Sequence, residues 1–424
     1  MTFRRPQTFP DSPASGSYGF ANVCLDIFIL LVPIMQFVRI QSIGVLFGTD
    51  LMLLAALPVL LARRLRLLKQ KQVFLILMLG LAWFGSQVVT DLVRESVASD
   101  YMRGWSKIIF TVAHFATIWM LIGNSIRRFV IYGVGASIGG ALACIFTPTP
   151  YQVAEPWKFG LALPVTLSVV LLATWMSNTR RPLGPLALAF MSFVNLFMNL
   201  RSLGLLCLMA AVHSYALMYL RVKARRIKKT QMLALACVVI FSILGFEQFY
   251  VYAADNGWLG RQAQMKLAAQ GGGGANLILG GRSEILASGA AILDSPILGH
   301  GSWPRDPQYA AILAERKAEL GFKRDPQSTS DLIPTHSHIL GAWVEAGILG
   351  AVFWIWVLKL TASTLIRATG EEPILPVFSL MGFSLMWDLL FSPYGAERRF
   401  MTTYLMVGII LFAQLSRQTL RKAR

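Results

Sequence analysis

Residues 335–356 read THSHILGAWVEAGILGAVFWIW and combine a histidine pair with a long apolar run. Two histidines, His336 and His338, stand where a polar loop becomes a hydrophobic run long enough to cross a bilayer. An ionisable side chain at a membrane boundary is costly and is usually kept for function. The alternative is that the two histidines only anchor or cap the helix at the interface.

The composition indicates a membrane protein. Of the 424 residues, 55% are hydrophobic and 14% are charged, whereas soluble domains carry about 25% charged residues. Residues 1–17 are polar and lack a cleavage site, so we expect no cleavable signal peptide. All four cysteines, together with His114 and His213, lie in apolar runs, which favours packing over disulfide or metal chemistry.

Apolar runs of about 20 residues predict an all-α polytopic protein with about twelve transmembrane helices. The segments are 18–38, 43–62, 73–93, 106–123, 127–147, 158–177, 183–200, 202–220, 231–252, 337–358, 374–391 and 400–416. Those at 183–200 and 202–220 can also be read as one interrupted helix. The predicted organisation is a tail at 1–17, nine spans within 18–252, a large loop at 253–335, three spans within 336–416 and a tail at 417–424.

The basic residues predict the orientation. More than half of the 39 Lys and Arg lie in the two tails and in alternate loops such as 63–71 and 221–229, where Asp11, Glu371 and Glu372 are the only acids. The positive-inside rule places these loops and both termini in the cytoplasm. The net charge of +18 is therefore explained by topology, and we expect no nucleic-acid partner.

The large loop lies on the outer side in this scheme. Its stretch PQYAAILAERKAELGFKR (307–324) has helical periodicity and predicts an amphipathic helix over the bundle. A glycine-rich run, QGGGGANLILGGRSEIL (270–286), contains Arg282, and Arg201 stands at the predicted outer end of a span. Arginine offers forked donors suited to phosphate oxygens, although Arg201 can equally snorkel to the interface.

Two arginines and a histidine at one face would form an anion site with a base. A helix N-terminus favours an anion such as a diphosphate and keeps a histidine neutral. Glu345 lies two turns beyond His338 on one face, where a catalytic role and a helix–helix hydrogen bond are equally favoured. Asp388 and Tyr394 are further candidates for the pocket, but a turn with a solvated charge pair, including Arg398–Arg399, is slightly favoured.

At these residues the chain resembles the O-antigen ligase and O-antigen polymerase superfamily of bacterial glycan-transfer membrane proteins. WKFGLALPVTLSVVLL (157–172) is similar to an early membrane segment of that family, and Arg201–Ser202 to its serine–arginine pair, with Leu200 replacing the usual preceding serine. GGRSEILASGAAILDSPILGHG (280–301) is similar to its arginine and P-x-x-G-x-G signature, and HSHILGAWVEAGILG (336–350) to the ligase-type histidine motif.

The resemblance implies a glycosyltransferase C-type fold in the bacterial inner membrane, with an active site facing the periplasm. It implies transfer of a glycan from undecaprenyl diphosphate to a hydroxyl of lipid A–core, with inversion and without metal or cofactor. Arg201 and Arg282 would bind the donor diphosphate. The motif spacing favours His336 as the base, whereas the position within the first helical turn favours His338.

Two other functions fit parts of the pattern. A repeat-unit polymerase would use a second lipid-linked repeat as its acceptor. A twelve-span transporter or flippase would also carry charges within the membrane, but many transporters are built from two similar halves, and the sequence contains no such repeat.

Metal independence is directly testable. The sequence has no D-x-D pair, P-loop, G-x-S-x-G or C-x-x-C motif, so no carboxylate pair stands ready to hold a metal-bound sugar diphosphate. We expect transfer activity to persist at its full rate in EDTA. Loss of activity on chelation, restored by a divalent ion, would contradict this mechanism.

Overall fold

The computed structural model describes residues 19–41, 44–177, 183–219, 245–246, 248–269, 284–319, 331–370 and 372–422. Within these ranges the chain is almost entirely helical. The helices are α1 (Phe20–Ile34), α2 (Gly48–Arg64), α3 (Lys71–Val93), α4 (Ala98–Ile122), α5 (Ile126–Phe146), α6 (Pro150–Ala154), α7 (Ala162–Met176), α8 (Leu183–Phe197), α9 (Arg201–Tyr219), α10 (Arg261–Ala269), α11 (Glu284–Asp294), α12 (Pro307–Glu319), α13 (His338–Ala346), α14 (Ile348–Ile366), α15 (Leu375–Phe391) and α16 (Ala396–Lys422). Strands β1 (Arg39–Gln41) and β2 (Val45–Phe47) pair antiparallel.

Among the described residues, eight helices are long and apolar enough to cross a membrane. They confirm a polytopic membrane protein. Helices α8 and α15 are apolar but shorter, and most of the predicted segment 231–252 lies outside the described residues. The count of twelve spans and the glycosyltransferase C-type fold therefore remain predictions.

Helix α16 lies at the centre of the bundle. In its most apolar stretch 83% of the residues are buried, and in α4, which packs against it, 61% are buried. Large apolar side chains on other helices, such as Leu92, Phe146 and Phe190, are more than half exposed. A surface of this kind is suited to lipid, since the hydrocarbon core offers no hydrogen-bond partners.

The predicted single helix over 337–358 is wrong. The structure divides it into α13 and α14 at Gly347, whose φ is +66°. The spanning helix of this region is Ile348–Ile366, and α13 precedes it as a separate nine-residue helix. Hydrophobicity runs unbroken through both helices, so the sequence pattern did not separate them.

The loop after α11 stabilises this break. The backbone N–H of His300 donates to the carbonyl of Val344 (2.7 Å), and that of Gly301 donates to the carbonyl of Glu345 (3.0 Å). The last carbonyls of a helix lack hydrogen-bond partners within the helix. Here the N–H groups of the loop are those partners. In return, the N–H of Ile348 donates to the carbonyl of Ile297 (3.3 Å).

The same loop is fixed to α3 by the buried carboxylate of Asp91. The carboxylate accepts bonds from the backbone N–H (2.6 Å) and the hydroxyl (2.7 Å) of Ser302, from the Ser96 hydroxyl (2.8 Å) and from the Trp105 indole (2.8 Å). Several strong bonds to one buried charge compensate for its loss of hydration. The start of α14 is thereby anchored to two other spans.

The helix with predicted amphipathic character is present as α12, which covers the first part of 307–324. The remainder of that stretch lies outside the described residues. Helices α11 and α12 pack together, and α11 also packs on α13. The described helix α11 of the predicted large loop is thus placed directly against the helix that carries the histidine motif.

Replacing Gly347 with alanine should destabilise the protein severely. A Cβ at this position would lie 1.9 Å from the carbonyl oxygen of Ile297, and φ is positive. We expect a loss of at least about 3 kcal/mol of unfolding free energy, read as a large fall in the thermal midpoint in detergent. Gly289→Ala is the matched control, because Gly289 lies within helix α11 and a Cβ there would meet nothing within 4 Å. An unchanged midpoint for Gly347→Ala would contradict the packing described here.

Candidate active site

A cavity of about 350 Å³ opens where α13 begins. It is bounded by three spans (α3, α4 and α14), by α11, α12 and α13, and by the loops at 303–304, 332–336 and 393–394. Its chemically notable lining consists of aromatic, charged and histidine side chains: Trp83, Trp303, Trp354, Tyr394, Lys107, Glu284, Glu345, His336 and His338. Both predicted histidines therefore reach one cavity.

His338 is fully buried and held in one orientation. Its Nδ1 lies 2.7 Å from the backbone carbonyl oxygen of Ser392. A carbonyl can only accept, so in the neutral imidazole Nδ1 carries the proton and Nε2 keeps its lone pair. Nε2 is buried and has no hydrogen-bond partner among the described residues. An oriented imidazole with a free lone pair is the form that accepts a proton.

The start of α13 explains why the two histidines differ. Ser337 is the N-cap: its hydroxyl accepts from the N–H of Leu340 (3.2 Å) and donates to the carbonyl of Leu389 (2.8 Å). His338 is therefore the first helical residue and faces the bundle. His336 precedes the cap, lies outside the helix and is exposed.

Two aromatic rings pack on His338. The ring centroid of Tyr394 lies 4.7 Å from that of the imidazole, and the centroid of Trp354 lies 5.2 Å from it. The hydroxyl of Thr111 donates to the carbonyl of Lys107 (2.6 Å), so the Tyr394 hydroxyl is the donor in its 2.6 Å bond to Thr111. Burial raises the pKa of Tyr394, which keeps that proton in place.

Lys107 is a site residue that the sequence analysis missed. Its ammonium forms an ion pair with Glu345, and both side chains line the cavity while being mostly buried. A lysine inside the apolar helix α4 was the available signal, because a charge within a span is rarely without a role. The separation of 238 positions between the two partners hid the pairing.

Asp388 and Tyr394 have different positions. Tyr394 lines the cavity, whereas Asp388 is not among its described lining residues and binds Arg398 across 2.7 Å. Arg398 is nearly half exposed, as expected for a solvated pair. The prediction that Arg399 belongs to the same solvated turn is wrong, because this side chain is 3% exposed.

Arg399 forms the centre of a buried charged cluster. Its guanidinium binds both carboxylate oxygens of Asp50, with 3.1 Å from Nε to Oδ1, and it lies 4.4 Å from the ring centroid of Phe110. Nε2 of the buried His114 lies 3.2 Å from the same Oδ1. The cluster connects α2, α4 and α16. It confirms His114 as a buried polar group, and His213 is buried too.

Of the two predicted arginines only Arg201 is among the described residues, and it does not reach the histidines. Arg201 begins α9, with its guanidinium 4.5 Å from the ring centroid of Tyr250, and it is not among the described residues that line the cavity. Arg282 lies outside the described residues. Glu284, two positions later in the sequence, does line the cavity.

The fold and the cavity define a polytopic helical membrane protein with a buried, oriented histidine at one end of its bundle. Residues 186–355 match the family model described as O-antigen ligase. The chain therefore carries a domain of the O-antigen ligase and polymerase superfamily, and the resemblance is confirmed. Comparison with curated proteins and with solved structures found no match. The matched range includes both histidines and Glu345 but not Lys107 or Tyr394.

Substitution of Arg398 and Arg399 tests whether only the second of these neighbours is buried. Arg399→Met leaves the buried Asp50 carboxylate without its guanidinium partner, so we expect a loss of about 3–5 kcal/mol in unfolding free energy. Arg398→Met removes only an exposed pair, for which we expect a change of at most about 1 kcal/mol. Thermal or denaturant unfolding in detergent measures both. Equal effects would contradict the placement of Arg399.

Proposed function

We propose that this protein is an O-antigen ligase. It transfers a glycan from undecaprenyl diphosphate to a hydroxyl of lipid A–core, at the periplasmic face of the bacterial inner membrane, by metal-independent inverting glycosyl transfer. The family match supports ligase- or polymerase-type glycan transfer. The observation that carries the mechanism is the buried Nε2 of His338, which has no hydrogen-bond partner among the described residues and belongs to a side chain that lines a cavity beside the membrane spans.

His338 is the general base in this proposal. Its Nε2 takes the proton of the acceptor hydroxyl as the oxygen attacks the anomeric carbon of the donor. The new C–O bond forms on the face opposite the breaking bond to the diphosphate, so the configuration inverts. Undecaprenyl diphosphate leaves with the electron pair of the broken bond. The Ser392 carbonyl that holds Nδ1–H stabilises the imidazolium that forms.

Positive charge is needed where the leaving diphosphate gains charge. Arg201 and Arg282 are the proposed donor-binding residues. Arg282 is supported by its sequence position two residues before Glu284, which lines the cavity. Lys107 adds a cation inside the cavity itself, held by Glu345.

The charge distribution supports a periplasmic cavity. His338, Tyr394 and the N-terminal part of α4 lie at one end of the bundle. The basic segment 63–71 lies at the other, where the Gln414 amide donates to the side chain of Gln70 (2.6 Å). Because basic loops stay in the cytoplasm, the cavity faces the opposite compartment.

Substitution of the two histidines tests the proposed base. We expect His338→Ala to reduce ligation at least about 100-fold, because a general base contributes about that much or more to the chemical step. His336→Ala is the matched control and should retain most of the activity, since this side chain is exposed and lies before the helix cap. The assay uses purified lipid-linked glycan, rough lipopolysaccharide and equal amounts of membrane protein.

The same assay separates the alternatives. Donor binding should survive His338→Ala but weaken in Arg282→Ala, because a contact to the diphosphate is lost in the ground state. Activity lost in His336→Ala and kept in His338→Ala would move the base by two residues. Polymer growth on the undecaprenyl carrier, without transfer to lipid A–core, would identify a repeat-unit polymerase instead.

A further inference from the structure

Trp303 has an unusual backbone conformation at the edge of the cavity. Its φ is +51°, in the left-handed region that bulky side chains rarely adopt. The residue is 39% exposed and lines the same cavity as both histidines. Strain of this kind persists only where the surrounding structure enforces it, and it is concentrated at functional sites.

The chain is fixed on both sides of Trp303. On the N-terminal side, Ser302 donates two bonds to the buried carboxylate of Asp91. On the C-terminal side, the carbonyl of Pro304 accepts from the N–H of Ile333 (3.0 Å), and the N–H of Asp306 donates to the carbonyl of Asp331 (2.7 Å). The indole itself is left partly uncovered, with the Arg103 guanidinium 6.0 Å from its ring centroid.

The groups around the indole are those that a sugar ring requires. A pyranose has an apolar face of C–H groups, which packs on the electron-rich face of an aromatic ring, and hydroxyls that need polar partners. The cavity that Trp303 lines also contains the Lys107 ammonium and the carboxylates of Glu284 and Glu345. An aromatic surface beside a few polar groups is the usual composition of a small-ligand site.

We propose that Trp303 is a stacking platform for a pyranose ring of the substrate glycan. This inference rests on the proposed function and adds a saccharide subsite to it. The sugar belongs either to the donor glycan or to the acceptor core, and the two share the same stacking chemistry. A tryptophan that served only as an interfacial anchor would need neither the positive φ nor a place in the cavity.

The experiment compares three variants of Trp303. Trp303→Ala removes the ring, Trp303→Phe keeps an aromatic face, and Trp303→Gly removes the ring while tolerating the positive φ. Trp258→Ala is the matched control, since Trp258 is an exposed tryptophan of the same predicted loop that is not among the described cavity residues. Steady-state ligation is measured with donor and acceptor varied separately, alongside the thermal midpoint of each variant.

We expect Trp303→Ala and Trp303→Gly to raise KM for one substrate about tenfold with little change in kcat. This is the effect expected when the aromatic contact to the bound sugar is lost. Trp303→Phe should recover most of this loss, and Trp258→Ala should behave as wild type. The midpoint of Trp303→Gly should not fall, because its backbone strain is relieved. The substrate whose KM rises identifies the source of the sugar.

Binding is also followed without transfer, by saturation-transfer difference NMR. The probes are the oligosaccharide released from the donor by mild acid and the core oligosaccharide. Unchanged KM values and unchanged NMR signals in Trp303→Gly would overturn the subsite. A fall in its thermal midpoint with normal KM values would also overturn it, because that result indicates a tryptophan that only anchors the loop. A wild-type protein that binds either oligosaccharide through Trp303 but does not ligate would contradict the ligase proposal alone.

Discussion

The break between α13 and α14 is the constraint on which the site depends. A helix cannot end inside a hydrophobic bundle unless its last carbonyls find partners. The loop after α11 supplies them through the N–H groups of His300 and Gly301. The close approach requires Gly299 as well as Gly347, because a Cβ on Gly299 would lie 2.6 Å from the backbone nitrogen of Gly347.

This arrangement fixes the position of the candidate base. Since α13 ends at a defined place, its first residue, His338, is held at the opposite end by the Ser337 cap and by the carbonyl of Ser392. The segment that follows α15 thus orients the imidazole, and the loop that follows α11 fixes the residue at which α13 ends. Buried charges such as Asp91 and Asp50, each with several partners, keep these contacts from shifting.

The candidate site could be predicted in part. His336, His338 and Glu345 stand in one stretch of sequence, where a polar-to-apolar boundary draws attention to them. Lys107 and Trp303 could not be placed in that way, because their neighbours in the cavity are remote along the chain. Arg399 was misjudged because its sequence surroundings, a polar turn beside Arg398, give no indication that its side chain turns inward towards Asp50.

Hydrophobic length and local motifs are properties of contiguous residues, so the sequence alone was enough to indicate a polytopic helical membrane protein and a segment, 186–355, that matches the O-antigen ligase family model. The end of the histidine helix, the identity of the buried histidine, and the charges and rings that share its cavity became visible only in the folded molecule. Those outcomes depend on hydrogen bonds and packing between distant segments. Periodicity and composition describe only the local sequence around a residue, so they do not indicate which distant residue it contacts.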